Sequence, residues 1–129
     1  MPDEPCWLKV MKANIGSFHD RFMNYCDADP GEPWCACMVN FVLHQCGIKG
    51  TGSAAALSFK KYGTPLDGPK VGAIAVFIWA DPNHHHVSIV SDWNDTDNWV
   101  GCVGGNQSNQ VKRSVYDQDY VVAYRWPPE

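Results

Sequence analysis

At Pro69 the chain changes its hydrophobic period, and that change limits the possible folds more than any composition figure. Before it, apolar residues recur at helical spacing. Trp7, Val10, Met11 and Ile15 form one such set. Cys35, Met38, Val39, Val42 and Cys46 form another at i, i+3, i+4, i+7 and i+11. Residues 5–15, 17–26, 34–45 and 54–62 are therefore expected as helices, with Gly16, Gly47 and Gly63 closing three of them and Ser53 capping the last. After Pro69 the spacing is that of strands: a short apolar run at 72–79, then 87–93, 99–103, 111–116 and 121–126 at hairpin intervals. Helices first and strands second predict an α+β domain, with N-terminal helices packed on one side of a C-terminal antiparallel β-sheet.

A length of 129 residues suits one domain, residues 1–129, and neither a repeat nor a linker divides it. The net charge of -4 and the isolated doublets Lys60-Lys61 and Lys112-Arg113 give no footprint for nucleic acid. An acidic chain also gains no steering toward an anionic surface, so such a partner must be held by local contacts. No apolar run reaches the length of a membrane span, and Met1 to Pro5 shows neither the basic nor the apolar region of a Sec leader. The chain is expected to act as a monomer. Six cysteines in a chain of this length point to an oxidising compartment such as the periplasm. If one is a nucleophile, five remain, so at most two bridges form and one further thiol is left over.

Cys35 follows Pro33-Trp34 at the start of an expected helix, where unpaired N–H groups and the helix dipole favour a thiolate. The same N–H groups can hold an oxyanion. Cys37 is the competitor, but two residues along a helix lie about 200° apart. That puts Cys35 on the side of Met38 and Val42, toward the sheet, and Cys37 on the other side, as a structural or disulfide-forming residue. His84, His85 and His86 form a run in which alternation sends His85 to the opposite face, so a facial metal site is not natural. With no C-x₂-C or H-x₃-H spacing present, no metal or cofactor is assigned. His86 opens the alternation of Val87 and Ile89 and is the candidate base. Asn106, in Gly104-Gly105-Asn106-Gln107, is the candidate for fixing its tautomer, with Gln107 and Asp92 as substitutes. Asp92 lies six residues from His86, roughly 20 Å along a strand. Of the six Trp, Trp34 and Trp93 are candidate groove walls, and Trp79, Trp99 and Trp126 are assigned to the core and sheet surface.

These residues, Pro33-Trp34-Cys35-Ala36 with Val39-Asn40-Phe41, Gly50-Thr51-Gly52-Ser53, Pro69 to Phe77, His86-Val87-Ser88-Ile89-Val90 and Gly104-Gly105-Asn106-Gln107, resemble the NlpC/P60 and CHAP group of bacterial and phage cysteine peptidases and amidases. The similarity runs over about residues 5–127 and is closest to a small branch with a Pro-Trp-Cys-Ser/Ala motif. It implies a papain-like fold, with Cys35 as nucleophile, His86 as base and Asn106 as orienting residue. It also implies that Trp34, His85, Trp93 and Gln107 lie along the substrate, and that the substrate is an amide or peptide bond in peptidoglycan stem peptides, cut without a cofactor. Ala73 stands where an Asp is usual, and His85 where a Gly usually precedes the base. The same resemblance extends to phage lysins and type VI amidase effectors, hence to action in the periplasm or cell wall after non-Sec delivery. A cognate immunity protein is expected only for an effector. A domain of the same fold that binds wall peptides without cutting them is the alternative.

Overall fold

Every residue from Cys35 to Leu43 is buried in helix α2 (Cys35–Gln45), more than the one apolar stripe of its sequence requires. The computed structural model, which describes residues 4–17, 34–79, 84–107 and 110–128 and Asn106 in its backbone alone, shows why. Helix α1 (Cys6–Ala13) packs on one side of α2 and the sheet on the other, so both sides need apolar residues. Gly47, with φ 73, ends α2 in a left-handed turn. There Ile48 N–H reaches Leu43 O (2.9 Å) and Gly47 N–H reaches His44 O (3.0 Å), satisfying carbonyls that the helix end leaves open. A disulfide joins Cys6 at the start of α1 to Cys46 at the end of α2, 40 residues on. Closing a loop of that length stabilises the fold by about 4 kcal/mol on the chain-entropy account. Cys37 is also disulfide-bonded, and among the described residues Cys35 and Cys102 are free.

Among the described residues six strands follow: β1 (Thr64–Leu66), β2 (Ile74–Ile78), β3 (His85–Asn94), β4 (Trp99–Gln107), β5 (Gln110–Asp117) and β6 (Val121–Trp126). They form one antiparallel sheet in the order β1-β6-β2-β3-β4-β5. The α+β architecture matches the expectation from the change of period. Two details differ. The expected helix at 54–62 is a single 3-10 turn (Ala56–Phe59): Ala55 is extended, and Ser53 Oγ takes its N–H (3.1 Å) in a local turn rather than as the cap of an α-helix. Strand β1 was not expected; it contains Pro65 and lies at the sheet edge, where a missing donor is tolerated. The expected helix at 17–26 falls, beyond Ser17, outside the described residues.

The sheet has a core on each face. Val87 and Ile89 of β3, Ile74 and Val76 of β2, and Val103 and Val111 pack under the helices. The opposite face buries Ala73, Ala75, Phe77, Val90, Val100 and Cys102, with Trp79, Tyr116, Val121 and Tyr124 around them. Phe77 on β2 and Tyr116 on β5 have two strands between them, yet their ring centroids are 5.0 Å apart. Three strand spacings in a flat sheet would separate them by about 14 Å. The sheet is therefore curled, and its inner face closes on itself without a second layer of helices.

Candidate active site

Two faces of β3 meet at the site. Cys35 is the first residue of α2 and belongs to the helix-side core; His86, near the start of β3, points to the inner, aromatic face. The Cys35 Sγ accepts from the backbone N–H groups of Val87, Ala36 and Cys35 itself. Its contact with Val87 sets the thiol against the residue that follows His86. Two of these donors come from the open N-terminus of α2, where no side chain caps the helix.

Burial nonetheless pushes the Cys35 thiol above its ordinary range, and the three N–H groups only oppose the rise. The sequence suggested a lowered value from the helix start. The difference lies in solvation: Cys35 is 2% exposed, so charging it means removing a thiolate from water. Burial likewise lowers His86, to about 4, against a smaller upward pull from its bond to Gln107. At neutral pH Cys35 is therefore a thiol at rest and His86 a neutral imidazole.

Gln107 determines which imidazole nitrogen is basic. Its Nε2 donates to Lys112 O (2.7 Å) and Cys102 O (3.2 Å), both obligate acceptors. Oε1 must therefore be the atom that accepts from Ser88 Oγ (2.8 Å) and faces His86 Nε2 (3.1 Å). An acceptor there requires the proton on Nε2, which leaves Nδ1 with the free lone pair. Around the imidazole stand Tyr116 at 5.6 Å, Phe77 at 5.8 Å and Trp79 at 6.3 Å between centroids, the last nearly parallel to it at 19°.

The glycine pair before Gln107 makes room for this. A Cβ on Gly104 would lie 2.2 Å from Ser88 Oγ and 2.9 Å from Gln107 Oε1, inside the polar network. A Cβ on Gly105 would lie 2.7 Å from the Trp34 ring and 2.8 Å from Met38 Cβ, so this glycine lets the start of α2 close onto β4.

Of the residues singled out in the sequence, His86 and Gln107 are hydrogen-bonded, and Cys35 lies against the backbone of Val87, the residue after His86. Asn106 is in β4, and its side chain lies outside the described residues. Trp34 is not an open wall: it is 2% exposed, its ring filling the space above Gly105. His85 is exposed at the start of β3, paired across the sheet with Ile78. Trp93 does not adjoin Cys35; it sits seven residues beyond His86, beside Asp92, at the other end of β3. Asp92 bonds Arg113 and is not an orienter of His86. Trp79, Tyr116 and Ser88 were not singled out. Ser88 carried a usable signal, since a hydroxyl in an apolar strand two residues from His86 shares its face and needs a partner. Among the described residues no group of three or more His, Cys, Asp or Glu is arranged to hold a metal ion.

The model of the CHAP domain matches residues 27–106 of the chain. A solved structure, described as the crystal structure of a wild type endolysin LysIME-EF1, superposes with a TM-score of 0.68 at 16% identity, covering 95% of this chain and 62% of that one. The chain thus spans less than two thirds of that endolysin's length, and the likeness is one of fold. No curated protein matches the chain.

Proposed function

The chain belongs to the CHAP domain family, and from that premise we propose that it is a cysteine hydrolase of amide or peptide bonds in bacterial peptidoglycan stem peptides, with Cys35 as nucleophile and His86 as base. The observation that carries this is the joint placement of Cys35 against Val87 N–H and of His86 against Gln107 Oε1. With Nε2 held, Nδ1 takes the Cys35 proton as sulfur attacks the scissile carbonyl carbon. The resting pair is neutral, so this transfer accompanies attack. Backbone N–H groups at the start of α2, that of Cys35 included, stabilise the oxyanion. The C–N bond then breaks, and the Nδ1 proton passes to the leaving amine. Water, deprotonated by the same nitrogen, attacks the thioester and frees Cys35. Gln107 orients the imidazole; Asn106, adjacent in β4, is the residue that family resemblance assigns to that task.

The disulfides at Cys6–Cys46 and at Cys37 suit work in an oxidising compartment, the periplasm or cell wall, reached as a phage lysin or as a type VI effector that an immunity protein would block. The buried, neutral Cys35 favours one second reading, a domain that holds wall peptides without cutting them. Digesting purified Gram-negative sacculi with wild-type and Cys35→Ala protein separates the two. Soluble fragments that need Cys35 are expected, and their new termini name the bond. If folded wild-type protein binds sacculi but releases no fragments, the hydrolase reading is lost to the binding domain.

A further inference from the structure

A concave site lies on the rim of α1, lined by none of Cys35, His86 and Gln107. Glu4 and Lys12 form one wall, Ser91, Asp92 and Arg113 the other, and Trp93 completes a cavity of about 500 Å³. Trp93 is 36% exposed, which leaves part of an aromatic ring open at the cavity. Its surroundings define what could cover it.

The four charges of this cavity are paired. Lys12 bonds Glu4, and Arg113 grips Asp92 through Nε to Oδ1 (3.0 Å) and Nη2 to Oδ2 (2.6 Å). Two acids and two bases leave no net charge in the lining. With no net charge in the lining, the cavity gives an anionic or cationic ligand no electrostatic advantage over a neutral one, and a neutral ligand leaves both pairs intact. Hydrogen-bonding capacity remains. A guanidinium carries five N–H donors, of which Asp92 takes two, and each carboxylate keeps lone pairs beyond its present bonds. Fixed donors and acceptors beside an open aromatic face suit a neutral molecule with hydroxyl or amide groups around its edge and C–H groups on its face.

We infer that this cavity is a saccharide site, which holds a neutral pyranose unit against Trp93 with its polar edge on Asp92 and Arg113. The identity of the sugar as part of a wall glycan rests on the peptidoglycan reading; the binding chemistry does not. An acidic protein has no long-range attraction to an anionic wall, and a second contact on the glycan would supply the retention that charge does not.

The test uses a β-1,4-linked tetramer of N-acetylglucosamine, which has no peptide and so no bond for Cys35 to cut. Titrated into ¹⁵N-labelled protein, it is expected to move the Trp93 indole and Arg113 Nε–H resonances with a Kd of about 0.1–1 mM. Cys35→Ala should bind equally. Trp93→Ala should weaken binding about tenfold or more, and Trp93→Phe should recover most of it. No shift at Trp93 up to about 10 mM sugar overturns the proposal. So does unchanged affinity in a folded Trp93→Ala protein, or displacement of the Trp93 signal by a charged stem peptide and not by the sugar. Sugar binding without Cys35-dependent digestion would remove the hydrolase reading and leave this one standing, and the converse result would do the reverse.

Discussion

Cys35 and Cys102 are both free, both buried and both shifted upward by burial, yet their surroundings differ. Cys35 lies where α2 begins, with three backbone N–H groups on its sulfur. Cys102 lies on the inner face of the curled sheet among Ala73, Phe77 and Val100; beyond burial, the Asp92 charge raises it further and Arg113 only partly offsets that. Burial alone therefore does not mark a nucleophile. What separates the two is that one sulfur has donors in place for its anion and the other has none. On the proposed mechanism a thiol of the first kind becomes reactive when substrate supplies a carbonyl and His86 takes the proton, a route that the second lacks.

The largest effect should come from exchanging these two sites' fortunes. Cys35→Ala is expected to lower turnover on sacculi by about 10⁴-fold or more, measured as soluble fragments released per unit time. An active, folded Cys35→Ala protein would end the distinction drawn here.

A second test uses pH. His86 titrates near 6.5 when unfolded and near 4 when folded, so between those values the unfolded chain binds the extra proton. The stability this group contributes is complete above about pH 6.5 and falls as the pH drops toward 4, by about 3 kcal/mol in all. Urea melts at about pH 7 and about pH 4.5 should show most of that loss in the wild type. His86→Gln should remove this share of it, and an equal loss in that variant would place the titration elsewhere.

Gln107 sharpens the contrast from the base's side. Gln107→Leu should reduce kcat/KM about 10²-fold and should also lose the Nε2–H signature of His86 in ¹⁵N spectra, which a merely structural role would leave alone. If the activity falls with the tautomer intact, orientation by Gln107 is wrong and Asn106 takes precedence.

The smallest effect belongs to the inert thiol. Cys102→Ala should cost about 1 kcal/mol in a urea melt and keep activity within about twofold. A larger loss of turnover would mean that the inner core is coupled to the site through the Gln107 bond to Cys102 O.

Much of this arrangement was legible in residue order. The change of period at Pro69 announced helices followed by an antiparallel sheet, and Gly47 marked the end of α2. The helical offset between Cys35 and Cys37 assigned them different sides, and Cys37 is disulfide-bonded. What was not legible depends on contacts across the fold. The bond from Gln107 to His86 arises where the β4–β5 register shifts between Gly104 and Gln107, and no local pattern encodes that shift. The aromatic ring around His86 exists because the sheet curls until β5 meets β2, so Trp79 read as ordinary sheet surface. Trp93 was chosen for its type, and the length of β3 carries it away from Cys35.

The depth at which Cys35 sits has a consequence for its survival. An oxidising compartment that maintains the Cys6–Cys46 bridge also exposes every free thiolate to exchange and to stepwise oxidation. Both reactions require an ionised, reachable sulfur, and Cys35 at rest is neither. If Cys35 is the nucleophile, being held protonated and out of contact until a carbonyl arrives lets it share one chain with disulfides and stay reduced.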